Sequence, residues 1–192
     1  MKFLIDGAPA RVEERKAQWP DGVLGQLLTP ITSYHSVQRM PLAIDNGAYS
    51  GFNQKAFERL ISREAWNYDR MLFIAYPDVV GDHAATLALW EDRNRKQYRG
   101  WKLAFVAQDG CKDFPPDCKA LFIGGTDLYK ESPHALAVAA AGVAAGLHVH
   151  VGRVNTPRRF KLFAELGAHT CDGSAISRIG NKLLYLRSRV TK

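Results

Sequence analysis

Cysteine is scarce in this chain: Cys111, Cys118 and Cys171 form neither an even framework nor a C-x-x-C pair. That excludes a disulfide-stapled scaffold and predicts a reduced, cytoplasmic setting. Long apolar runs are missing too. The longest weakly polar stretch, "ALAVAAAGVAAGLHVHVG", is Ala-rich with two Gly breaks inside it and reads as a helix followed by a strand rather than a membrane span. The opening residues, "MKFLIDGAPA", carry charge by the sixth position, so no secretory signal is expected. No low-complexity linker and no internal repeat interrupts the chain. Acidic residues are outnumbered, 19 against 26 Lys and Arg, for a net charge of +7 and a pI near 9.4. The excess favours a polyanionic or phosphate-bearing partner over an acidic one, with ordinary solubility as the plainer reading. What is present is a 46% hydrophobic content over 192 residues, enough to bury a substantial core in one domain spanning 1–192.

Short β-rich runs alternate with helical patterns, the rhythm of βα units around a parallel sheet. The runs are "KFLI" (2–5), "PLAI" (41–44), "MLFIAY" (71–76), "KLAFVA" (102–107), "ALFI" (120–123), "LHVHV" (147–151) and "AHTC" (168–171). "GQLLTPITSY" (25–34) reads either as an eighth strand or as a loop. Helices are expected over 54–62, 83–98, 132–146 and 156–166, with a last one over 181–190. Thr156 and Pro157 have the types of an N-cap and a first-turn residue. The fold class is therefore α/β, a compact (β/α) barrel that is closed or incompletely closed. Trp66, Trp90 and Phe57 read as packing residues.

The residues just past the strands carry the chemistry. They are Asp45, Asp78, Gln108, Gly124 with Gly125, Arg153 and Asp172. In parallel α/β architectures the C-terminal strand ends converge on one rim, where sites form. Each residue alone reads equally as a turn or helix cap, and Asp82 and Asp109 are taken that way. Asp172 poses the sharper question. It ends an apolar run and is followed only by small residues, where a lone carboxylate is costly to desolvate without partners.

The blocks "LAIDNGAYSGF", "FIAYPDVVGD", "LAFVAQDG", "LFIGGTDL" and "VHVGRVNTPRRFKLFAELGAHTCDGS" resemble, in order, the successive motifs of tRNA-guanine transglycosylases and, more closely, their DNA-acting relatives that insert 7-deazaguanines. The resemblance covers about residues 41 to 178. It implies a TIM barrel that swaps guanine for a deazaguanine base, with Asp172 as nucleophile and Asp45 as general acid/base. It further implies that Tyr49 stacks on the base, that Asp78 and Gln108 read its edge, and that backbone N–H groups around Gly124, Gly125 and Thr126 face its carbonyl. Two departures stand out: Asp109 replaces a usual glycine and Thr126 an often-found leucine. The family's tRNA enzymes carry an appended zinc site built from a C-x-C-x-x-C block and a histidine, and nothing in this sequence supplies one. No zinc subdomain, metal or cofactor is therefore expected, and DNA is preferred to tRNA as the polymer, with the free 7-deazaguanine base as co-substrate.

The chemistry asks for these residue types on its own account. Breaking an N-glycosidic bond develops oxocarbenium character that one carboxylate can stabilise and trap, while a second moves protons to and from the bases. Extruding a nucleotide calls for cations near the rim, and Arg153, Arg158, Arg159, Arg178 and Lys182 are the candidates. A second basic run over 92–102 reads as a solvated face or as a nucleic-acid surface. His148 and His150 alternate along one strand and so face one way; lacking a third ligand, they read as hydrogen-bonded or substrate-facing residues rather than a metal pair. Other readings of the same residues remain: an N-glycosidase or nucleoside base-exchange enzyme acting on small molecules, or a non-catalytic nucleic-acid-binding barrel. An accessory protein that opens the substrate is also left open.

Overall fold

The computed structural model describes residues 1–174. Eight parallel strands close into a barrel in simple chain order, with helices around it. The strands are β1 (Lys2–Ile5), β2 (Leu24–Leu28), β3 (Leu42–Ile44), β4 (Met71–Ala75), β5 (Leu103–Ala107), β6 (Ala120–Ile123), β7 (His148–Val151) and β8 (Thr170–Asp172). Closure comes from β1 pairing with both β2 and β8, Phe3 lying opposite Leu24 on one side and Cys171 on the other. The undecided stretch at 25–34 is thus resolved: its first residues belong to a full strand, and the barrel is complete.

The helices are α1 (Pro9–Gln18), α2 (Gln54–Glu64), α3 (His83–Glu91), α4 (Asp127–Lys130), α5 (Pro133–Ala144) and α6 (Pro157–Glu165). Most begin where a short polar side chain accepts an otherwise orphaned N–H. Asn53 takes that of Ala56, Asp82 that of Ala85, Thr126 that of Tyr129, Ser132 that of Ala135 and Thr156 that of Arg159. The helix expected over 83–98 is shorter, because Asp92 adopts an extended backbone and caps a separate 3-10 segment, Arg93–Tyr98. Trp66 is exposed rather than packed, its indole N–H reaching only the Arg63 carbonyl, while Trp90 and Phe57 are buried. The expected helix over 181–190 lies outside the described residues. Among those described, no helix is long and apolar enough to cross a membrane.

Strand alternation sorts the side chains into two cores. Phe3, Ile5, Leu42, Ile44, Phe105, Leu121, Val149 and Cys171 face outward against the helices. Leu4, Leu27, Ala43, Phe73, Ala75, Ala104, Val106, Ala120 and Phe122 fill the interior. Carried to the C-terminal strand ends, the inward parity of Ala43, Val106, Phe122, His150 and Thr170 falls on Asp45, Gln108, Gly124 and Gly152, each one step past its strand, and on Asp172, the last residue of β8. Most of the site is therefore placed by two-residue periodicity alone.

Candidate active site

Asp45, Asp78, Gln108 and Asp172 line one cleft at the C-terminal end of the barrel, which encloses about 490 Å³ with the solvent at its mouth included. Gly124, Gly125, Tyr49 and Arg153 complete the walls. Acids far apart in sequence thus meet across one space, floored by Ala75, Val106 and Phe122.

Asp45 follows β3 and opens the turn D-N-G. Its carboxylate accepts the N–H of Gly47 at 2.9 Å, and the left-handed Gly47 (φ 77°) lets the chain fold back to deliver that donor. Protein surrounds the carboxyl on every side but the cleft. Desolvation, reinforced by the charges of Asp172 and Asp78, raises its pKa to about 7. Desolvation likewise raises Asp78, against two donors that hold its charged form: Asn46 Nδ2 at 2.6 Å and Gln108 Nε2 at 2.5 Å. Asn46 also donates to the Tyr76 carbonyl at 2.7 Å, and Gln108 Oε1 accepts from Gly81 N–H at 2.8 Å, so both amides are fixed in orientation. A side chain at Gly124 would put its Cβ only 2.8 Å from Gln108 Nε2; glycine is what lets the amide lie there.

Asp172 ends β8. Its Oδ1 accepts the backbone N–H of Arg153 and faces His150 Nε2, both at 3.1 Å. Among the described residues, Arg153 is one of two non-glycine residues at positive φ, at 55°. Its guanidinium donates to the Gly125 carbonyl at 2.6 Å and sits 4.5 Å over the ring of Tyr49, which is 70% exposed. Lys130 also lines the cleft, fully buried, donating to the same carbonyl at 2.9 Å. Desolvation, with Arg153 nearby, lowers its pKa to about 8.

Other expected residues lie elsewhere. Thr126 does not line the cleft: its N–H and hydroxyl both go to Asp109, at 2.8 and 2.6 Å. Only the Gly125 N–H of that loop lacks a protein acceptor among the described residues. Arg159 does not face solvent. It is held between Asp127 and Glu131, each at 3.0 Å, so it braces α6 against α4. Arg158 is exposed and pairs with Glu131 at 2.7 Å. Arg178 and Lys182 lie outside the described residues. The basic run at 93–99 borders a groove beside Leu103, where β5 starts, at the opposite end of the barrel from Asp172.

Sequence reasoning passed over Asn46 and Lys130. Asn46 was legible as the middle of D-N-G, whereas the burial of Lys130 depends on partners that the fold brings to it, the Gly125 carbonyl among them. Among the described residues no three His, Cys, Asp or Glu side chains are grouped to hold a metal ion. Comparison with protein-family models finds no match for the chain, and comparison with curated proteins finds none either.

Proposed function

We propose that this protein is a transglycosylase that exchanges guanine in nucleic acid, DNA in preference to tRNA, for a 7-deazaguanine through a covalent glycosyl-aspartate. The single observation that carries the reading is that Asp45 and Asp172 share one cleft in unlike surroundings. An enzyme that splits a glycosidic bond by double displacement needs that inequality: one carboxylate to attack, the other to hold a proton at neutral pH. Asp172, supplied with donors, is the nucleophile. Its oxygen bonds to C1′ as the C1′–N9 bond breaks; the electron pair passes to the purine, which takes a proton from Asp45. The incoming deazaguanine returns its own proton to Asp45 and displaces the ester, restoring both acids.

The walls suit a purine. Asp78 and Gln108, held by their hydrogen bonds, present acceptor and donor atoms to the cleft, and the Gly125 N–H is a donor for a base carbonyl. Exposed Ile31, Tyr49, Phe52, Val79, Val80 and Leu128 stand on the loops and short helical turns that follow strands, on the cleft side of the barrel. Apolar and aromatic groups in that position suit the faces of unstacked bases. One observation favours the reading in which the substrate is a free nucleoside: Arg158 and Arg159 are committed to Glu131 and Asp127, which thins the supply of phosphate-binding cations.

Denaturing electrophoresis of the protein with guanine-containing DNA, RNA or deoxynucleoside, alongside exchange of labelled guanine, tests the proposal. An adduct with DNA is expected, with exchange down on the order of 10⁴-fold or more in Asp172→Asn and an unchanged far-ultraviolet circular dichroism spectrum. Exchange with the nucleoside alone moves the activity to small molecules. Neither adduct nor exchange with any substrate sinks it.

A further inference from the structure

The barrel interior holds a polar chain that the base-exchange chemistry does not by itself explain. His150 is fully buried, with the rings of Phe122 and Phe73 at 4.5 and 5.0 Å. Its Nε2 lies 3.1 Å from Asp172 Oδ1 and its Nδ1 2.9 Å from Thr170 Oγ1. The same hydroxyl lies 2.9 Å from Nε2 of His148, which borders a second cavity at the N-terminal mouth of the barrel beside Met71. A hydrogen-bonded file thus runs through the barrel, from the cleft to the opposite mouth.

Donor and acceptor counting fixes its direction. An attacking carboxylate only accepts, so His150 Nε2 must carry the proton that faces Asp172. In the neutral ring Nδ1 is then bare and accepts the Thr170 hydroxyl. That hydroxyl, its one hydrogen spent, accepts in turn from His148 Nε2–H. Every donor points toward Asp172, and hydrogen bonds so aligned polarise one another in a low-dielectric interior. Desolvation, with His150 and His169 nearby, drives the His148 pKa down to about 3, so this end of the file stays neutral at working pH.

Resting on the reading of Asp172 as nucleophile, we propose that His150 is a positioning residue, its tautomer locked by Thr170 and His148, that fixes Oδ1 of Asp172 and leaves Oδ2 as the attacking atom. Oδ1 already receives both His150 Nε2–H and Arg153 N–H, whereas among the described residues no donor reaches Oδ2. As the glycosyl ester forms on Oδ2, Oδ1 becomes its carbonyl oxygen and keeps the same two donors. They therefore hold the departing carboxylate steady in the second half-reaction. Gly152 makes room for this arrangement, since a Cβ there would come within 2.7 Å of the Phe122 ring that packs on His150.

Two measurements test the proposal. The first needs no substrate: nitrogen-15 NMR of the imidazole-labelled protein at neutral pH, with His150 assigned by the signals that vanish in His150→Gln. The expected result is protonated Nε2 and bare Nδ1; an Nδ1–H tautomer overturns the proposal. The second is the single-turnover rate of adduct formation on a guanine-containing oligonucleotide. Thr170→Val is expected to be about 10–100-fold slower, as when a group orienting a reactive ligand is lost, with unchanged oligonucleotide affinity. Thr170→Ser restores the rate to within a few-fold, and His150→Leu loses on the order of 10²–10³-fold. Thr170→Val at the parent rate, or Thr170→Ser as slow as Thr170→Val, overturns it. If Thr170→Val fails to fold, the tautomer decides alone. A protein with the expected tautomer but no adduct on any substrate loses the base-exchange reading and keeps the hydrogen-bonded file.

Discussion

Glu64 and Asp45 are both acids withdrawn from water in the same barrel, and the protein treats them in opposite ways. Glu64, at the end of α2, is fully buried and saturated with donors. Oε2 accepts the Ser36 hydroxyl at 2.6 Å and Asn67 Nδ2 at 2.7 Å, and Oε1 lies 3.3 Å from Arg63 Nε. Arg70 closes the set, reaching Ser36 Oγ and the carbonyls of Val37 and Met40, so the acid anchors the long β2–β3 connection to α2. Among the described residues, Asp45 receives only backbone N–H groups, those of Gly47 and Asn46, and otherwise faces two more acids. A carboxylate given every partner is structural, while one left short of partners keeps a proton it can move.

Between these two acids, removing the ill-served one gives the larger expected effect on activity. On the base-exchange proposal, Asp45→Asn should lower exchange on the order of 10²–10⁴-fold, the usual worth of a general acid/base. Its stability should move the other way. The folded-state pKa of about 7 lies above the unfolded value of 3.8, so between those values the folded state holds a proton that the unfolded state has lost. The wild type therefore loses stability as pH rises from about 4 to 7, by up to a few kcal/mol, and stays level above. Asp45→Asn should match the wild-type melting temperature near pH 4 and exceed it at pH 8. A variant less stable at both pH values would break the comparison.

Glu64→Gln should do the reverse. Placing an amide donor among donors costs about 3 kcal/mol, or roughly 6–12 °C in melting temperature for a chain of this size, with the single-turnover rate of the folded fraction unchanged. Thermal melts beside burst kinetics separate the two. The smallest effect belongs to Arg158→Ala. Although its ion pair with Glu131 is short, the side chain is 79% exposed, so the change should stay within about 0.5 kcal/mol. A loss as large as that of Glu64→Gln would show that α6 docks through this residue.

The inner wall of the barrel was largely legible in the sequence, because strand ends and two-residue parity are local properties: Asp45, Gln108 and Asp172 could be read from the runs they terminate. β2 was read only in part, since Gly25 and Gln26 interrupt its apolar pattern and Gln26 is satisfied by Gly7 and Val37 from flanking loops. α1 was missed because Val12 is its only buried residue and the rest is polar. The setting of Arg159 was hidden for a different reason. Charge counts in the sequence do not reveal partners, and Arg159 finds Asp127 and Glu131 across more than 25 residues of chain. The direction of the His148–Thr170–His150 file could not be read at all, since it depends on which heteroatoms come within reach after closure.

Arg153 divides its duties between main chain and side chain. Its amide serves Asp172, while its guanidinium serves the Gly125 carbonyl and the Tyr49 ring. Because the amide contact is indifferent to what the residue carries, the cleft mouth can be remodelled at this position while Asp172 keeps its backbone donor. Replacements that accept a left-handed backbone, asparagine or glycine foremost, would reshape the wall beside Tyr49 and spare the contact to Asp172.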